Sequence, residues 1–143
     1  MASEVVVVVE RVFEQPREKV FERYADHESW SRWAGFGKVW LAREGGTERN
    51  GVGSVRAFRL TPGLREEVTL FERPSRMEYK VIAGPVPITG HHGEVVFEEE
   101  GRGTRVRWQA SFRAMVPGTG GVLRRMVERV FRRMLAGLAL DLG

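Results

Sequence analysis

The chain contains no cysteine, which excludes disulfides, thiolate metal ligands and cysteine nucleophiles. It also lacks a long apolar run. The longest, Val5 to Val9, falls far short of the roughly 20 residues that cross a bilayer as a helix. It has neither the basic flank nor the cleavage site of a secretory signal, and it reads as a buried strand. Lysine is scarce: of 23 basic residues only Lys19, Lys38 and Lys80 are lysines, so arginine carries the net charge of +4. Blocks of one sign are missing too. Glu and Arg alternate along most of the chain, as on a solvated, ion-paired surface, and no nucleic-acid recognition motif accompanies the charge. No nucleophile elbow, dinucleotide fingerprint or phosphate loop occurs, since Gly118-Thr-Gly-Gly121 lacks the lysine and spacing of the last. The expectation is a protein with no cofactor, no nucleic-acid partner and no integral membrane association.

What is present fits one folded unit. The 143 residues, 42% hydrophobic and 29% charged, suit a single domain over 1–143 with the composition of a globular cytoplasmic protein. Residues 4 to 13 are rich in β-branched side chains, which favour a strand. Pro16 suits the first turn of a helix, and Val20, Phe21 and Tyr24 recur at helical spacing behind it. A second short helix starts near Asp26 or His27, carries Trp30 and Trp33 on one face, and stops at Gly35 and Gly37. Six strands follow near 38–44, 51–61, 65–73, 76–83, 87–99 and 104–115, separated by Gly and Pro turns. Short connections of this kind imply an antiparallel meander. After a Gly-rich hinge, residues 118–140 form an amphipathic helix with Leu123, Val127, Val130 and Met134 on its apolar arc.

Four segments in this order carry a family likeness: the Pro16 to Asp26 helix with Trp30-x-x-Trp33, the strand start Gly51-Val-Gly-Ser-Val-Arg56, the stretch Glu67 to Tyr79, and Gly103-Thr-Arg-Val-Arg-Trp108. Together they resemble the SRPBCC superfamily, the helix-grip fold of START lipid-transfer domains, plant pollen-allergen-type proteins and bacterial polyketide cyclase/dehydrase-like proteins. The likeness is strongest to the bacterial group. It implies an α+β fold: a seven-stranded antiparallel sheet wrapped around a long C-terminal helix, two short helices after the first strand, and a hydrophobic cavity between sheet and helix. It implies little about chemistry, because a fold does not fix a function.

Strand alternation then assigns the inner face. Val106, Trp108, Ala110 and Phe112 share one side of the last strand, Met77, Tyr79 and Val81 one side of an earlier one. Val95 and Phe97 extend backwards to bring His91 inward and send His92 out. Adjacent histidines on a strand diverge, so they do not make a metal site. Choosing the face of Phe58 for the third strand takes Leu60 inward as well and puts Arg56 at the cavity wall. There Glu66 is its partner, provided Val68 and Leu70 also face in. Trp33 and Phe36 are assigned to the pocket mouth. The expected ligand-binding set is thus Trp33, Phe36, Phe58, Tyr79, Val81 and His91, with Trp108, Phe112, Met126, Val127, Val130 and Met134 opposite.

The expected function is binding or transport of a hydrophobic small molecule, a lipid, isoprenoid or polyketide-like compound, by a monomer or homodimer and without turnover. The alternative is a polyketide cyclase/dehydratase-type enzyme acting on an enolisable aromatic precursor. His91 would move the proton while Tyr79 or Arg56 steadies the enolate. Convergence of His91, Tyr79, Arg56 and Glu66 on one point is the feature that favours the alternative. A third class, a partner-binding module, would use the Arg-rich outer face of the last helix.

Overall fold

Alternation in the opening valines sets the first edge of the sheet. The computed structural model describes residues 4–143, and in it β1 (Glu4–Phe13) buries Val5, Val7 and Val9 while Val6 and Val8 face out. Pro16 stands one residue before the helix, and its carbonyl accepts the N–H groups of Lys19 and Val20 to start α1 (Arg17–Ala25). A 3-10 turn, His27–Ser29, runs straight into the single turn α2 (Trp30–Trp33). Gly35 and Gly37 then reverse the chain at φ +89° and +65°, angles that a side chain with a Cβ rarely adopts.

The remaining strands are β2 (Val39–Arg43), β3 (Val55–Phe58), β4 (Arg65–Glu72), β5 (Arg76–Ala83), β6 (Ile88–Glu100) and β7 (Gly103–Ala114), and the chain closes with α3 (Gly120–Leu142). All pairings are antiparallel, in the order β1-β7-β6-β5-β4-β3-β2. The seven-stranded sheet and long final helix expected from the sequence are both observed. No helix among the described residues is long and apolar enough to cross a membrane.

Three expectations need correction. β3 is four residues long rather than spanning 51–61, because the chain before Val55 turns through Gly51 and Gly53 and bonds to β4 there only at Val68. With the strand ended at Phe58, Leu60 leaves the inner face and is 66% exposed. β4 has a bulge between Val68 and Leu70. Such an extra residue shifts which side chains face in: Phe71, rather than Leu70, packs on the core against Phe21, ring centroids 5.4 Å apart. Finally, Gly120 and Gly121 belong to the first turn of α3, and the hinge is Pro117 to Thr119 with Gly118 at φ +84°.

Helix α3 lies across the inner face. Phe131 stacks on Trp108 at 4.3 Å and 14°, Met134, Leu135 and Leu138 are buried, and Leu123, Val127 and Val130 pack against the core. Its far end is pinned by charge, since Asp141 takes hydrogen bonds from Arg32 (3.0 and 3.2 Å) and from Arg23. Those arginines hold the Asp141 carboxyl below its usual range, the Arg32 bond contributing most. Between these points α3 passes so close to α2 that a Cβ on Gly137 would strike the Trp33 carbonyl oxygen. In an ordinary helix interior Gly to Ala stabilises by about 1 kcal/mol. Here the added methyl has no room, and overpacking costs about 1–3 kcal/mol. Gly137→Ala is therefore expected to lower the urea midpoint; a raised midpoint would mean that α2 and α3 do not touch.

Candidate functional site

The hollow between α3 and the sheet has a volume of about 270 Å³, near the lower end for small-molecule sites. Its walls are mainly aromatic and aliphatic. Phe58, Tyr79, Val81, Trp108 and Phe112 contribute from the sheet, Phe36 from the turn after α2, and Met126, Val127, Val130 and Met134 from α3. Eleven of the twelve side chains assigned from sequence therefore line it, His91 included. Trp33 does not: it is 6% exposed, its indole N–H donates to Ser29 Oγ at 3.0 Å, and it fills the core between α2 and α3. Its neighbour Trp30 lines the cavity instead. The two rings pack together, centroids 5.5 Å apart and tilted by 53°, and a three-residue spacing does not reveal which of them reaches the hollow.

Further lining residues were not assigned from sequence, among them Thr61, Leu64, Ile88 and Phe131. Phe131 lies on the helical arc one turn beyond Val127, so its periodicity was a usable signal. Leu64 and Thr61 sit in the turn before β4, where no periodicity operates.

Arg56 is the main departure. Its side chain is fully buried behind the cavity wall and is not part of the lining. The guanidinium lies 4.5 Å from the ring centroids of both Trp30 and Tyr79, which flank it. It donates from Nε and Nη2 to a single oxygen, Glu66 Oε1, at 3.1 and 2.7 Å. Register explains the partner, because Arg56 and Glu66 are directly opposed across β3 and β4. Burial works against the guanidinium charge, but Glu66 and the two tyrosines outweigh it, and the net shift of Arg56 is upward. The inference of an Arg56–Glu66 pair holds, and it is Glu66 that reaches the cavity.

Tyr79 stands at the centre of this wall. Its hydroxyl accepts the Trp108 indole N–H at 2.9 Å, and burial keeps the phenol far above its usual range and hence neutral. Its ring lies over Gly93, the residue opposite it on β6, where a Cβ would fall inside the ring. Beyond it the His91 ring is 5.3 Å away.

His91 has one nitrogen committed. The Val81 backbone N–H donates to its Nδ1 at 3.1 Å. An acceptor nitrogen carries no proton, so the neutral ring bears its hydrogen on Nε2. Burial pushes the imidazole below its usual range, with Arg56 and His92 adding and Glu66 opposing. His91 is thus a neutral donor through Nε2. His92 points the other way, its Nε2 3.1 Å from Glu78 on the outer face, and no group of three potential metal ligands occurs among the described residues.

A helix laid in the grip of a curved seven-stranded sheet, around an apolar hollow with a few polar groups on one wall, defines a helix-grip protein with a small-molecule cavity. Over residues 4–143 the chain matches the family described as polyketide cyclase / dehydrase and lipid transport, and it belongs to that family. No curated protein matches it in sequence. Solved structures share the fold. One from Thermobifida fusca is 22% identical with a TM-score of 0.80, covering 96% of this chain and 93% of that one. Ara h 8.0201 is 11% identical with a TM-score of 0.74, covering 98% of each chain. Norcoclaurine synthase from Thalictrum flavum, solved with dopamine and hydroxybenzaldehyde, is 12% identical with a TM-score of 0.73, covering 96% and 86%.

The other histidine in the core gives a pH test of this polar layer. His27 is fully buried, and Asn50 Oδ1 accepts both its backbone N–H (3.2 Å) and its Nδ1–H (2.9 Å). Burial holds its pKa well below the ordinary imidazole range, Arg56 pushes it further down, and the Asn50 bond opposes both. The unfolded chain therefore takes up a proton near pH 6.5 that the folded protein refuses. That contribution to stability is complete above this value and is lost as pH falls. Below pH 6 His27 should cost up to about 1.4 kcal/mol per pH unit, the limit set by one proton taken up on unfolding. Urea unfolding at pH 7, 6 and 5 should show the decline, and His27→Gln should make it shallower, leaving the part due to His91, which burial lowers too.

Proposed function

We propose that the protein binds and carries an apolar small molecule, of lipid, isoprenoid or polyketide-like kind, in this cavity without transforming it. The observation that carries the reading is the makeup of the wall: a ring of aromatic and aliphatic side chains with His91 fixed as a donor. A general base needs a free lone pair within reach of the substrate proton, and the lone pair of His91 is held by Val81 N–H. The family's description, which joins lipid transport to cyclisation, fits this reading as well. One domain over 1–143, a cytoplasmic location, a monomeric or homodimeric state, and no nucleic-acid partner, integral membrane association or cofactor belong to the same proposal.

A second reading has one observation in its favour. Glu66, Tyr79 and His91 line the one cavity, and Arg56 links Glu66 to Tyr79 behind its wall, which is part of the convergence expected of a cyclase or dehydratase acting on an enolisable aromatic precursor. In that case the roles differ from the sequence expectation: Tyr79 and His91 would both donate to an enolate oxygen, and the base would have to be Glu66.

Two variants separate the readings. Val130→Trp places a large side chain in the hollow and should abolish binding of a neutral apolar dye such as Nile red while the protein stays folded. Unchanged dye affinity in the folded variant would count against the cavity. His91→Ala should weaken ligand binding by less than about tenfold, some 1.4 kcal/mol, because one hydrogen bond is small beside the apolar burial. Conversion of a screened ligand by the wild type that disappears in this variant, read by mass spectrometry, would replace the carrier reading with the enzymatic one.

A further inference from the structure

Resting on the carrier reading, we infer that Glu66 and His91 select the ligand by its polar end, favouring a neutral hydroxyl on an apolar skeleton and rejecting a carboxylate. The asymmetry of the Arg56–Glu66 pair is the ground for this. Both Arg56 hydrogen bonds end on Oε1, which leaves Oε2 as the free acceptor of a side chain that lines the cavity. The positive partner is fully buried behind Trp30 and Tyr79. A ligand thus meets the negative end of the pair first.

His91 supplies the complementary group. With Nδ1 occupied by Val81 N–H, its free nitrogen is Nε2–H. The two side chains stand in one row across the sheet, both lining the cavity, with Val81 between them: its N–H holds His91, and it is the residue paired with Glu66 across β4 and β5. A hydroxyl donates one bond and accepts others, so it can give its hydrogen to Glu66 Oε2 and take one from His91 Nε2. A carboxylate has no hydrogen to give. Placed here it would set like charges side by side in an apolar enclosure, where screening by water is weak. The remaining polar groups bring no positive charge to set against Glu66: both indole N–H groups at the wall are already used, Trp30 on the Tyr24 carbonyl and Trp108 on Tyr79, and the Tyr79 and Thr61 hydroxyls are neutral donors.

The selection also has a directional logic. A buried hydrogen-bonding group that loses its partner incurs its full desolvation cost, so a site with fixed donors and acceptors discriminates more by penalty than by attraction. The apolar skeleton supplies affinity, and Glu66 with His91 decides which skeletons stay.

The test uses three probes on one skeleton: naphthalene, 2-naphthol and 2-naphthoate, titrated at pH 7 with Trp30 and Trp108 as intrinsic reporters at the cavity wall. In the wild type 2-naphthol should bind at least about tenfold more tightly than naphthalene, and 2-naphthoate more weakly than either. Glu66→Gln strands a buried Arg56 and can unfold the protein, so the informative variant is R56M/E66L, which removes both charges and leaves none unpaired. Once shown to be folded, it should bind naphthalene as the wild type does and prefer 2-naphthol by less than about threefold. Naphthalene binding with no preference for 2-naphthol in the wild type, or a preference that survives in the folded double variant, overturns the inference and leaves the carrier reading standing. Failure of all three probes together with Nile red overturns both.

Discussion

The buried guanidinium of Arg56 is the constraint around which the rest of this protein is arranged. Taking an arginine out of water costs several kcal/mol even after relaxation, and only close, well-oriented partners offset it. They are Glu66, directly opposite on the next strand, and the faces of Trp30 and Tyr79 on either side. Aromatic faces attract a cation most when water is excluded. Trp30 comes from the short helix α2, Tyr79 from the middle of the sheet, and Glu66 from β4, so one charge ties together three separate parts of the fold. Tyr24 and His27, from the segment before α2, feel the same charge: burial raises the first and lowers the second, while Arg56 drives both downward.

That arrangement also accounts for where sequence reading succeeded and where it stopped. Period-two alternation was legible in β7, where Val106, Trp108, Ala110 and Phe112 are all buried, because one face of that strand is apolar throughout and the register is uninterrupted on the β1 side. The arc of α3 was legible for the same reason with a period of 3.6. Alternation failed where the backbone departs from a regular ladder. The bulge after Val68 exchanges Leu70 for Phe71, and nothing in the local sequence marks it. β3 offered two faces each with an arginine. The choice of the Phe58 face was right, but depth is a tertiary property, and alternation gave Arg56 a direction without saying that two aromatic rings would close over it.

The tautomers of His27 and His91 show a similar limit. Composition supplies His27 and His91 as identical groups of the same titration range. The fold makes them opposites: Asn50 Oδ1 holds a proton on Nδ1 of His27, and Val81 N–H excludes one from Nδ1 of His91. Neither partner can be found from spacing, since Asn50 lies in the loop before β3 and Val81 acts through its backbone on a neighbouring strand. A histidine counted as a base from sequence becomes a donor once its second nitrogen is accounted for.

Stability and selectivity thereby come from one pair of residues. Arg56 requires a carboxylate to remain buried, and its hydrogen bonds use only Oε1 of Glu66, from Nε and Nη2, while Nη1 has no partner. The second oxygen takes no hydrogen bond from Arg56, and it belongs to a side chain that lines the cavity. An apolar pair at these positions would fill the same space and leave a hollow that recognises shape alone. With the charged pair, the sheet cannot close without also presenting a polar group to whatever enters. The position of the positive charge behind the wall, fixed by packing between Trp30 and Tyr79, decides the sign of what the ligand meets.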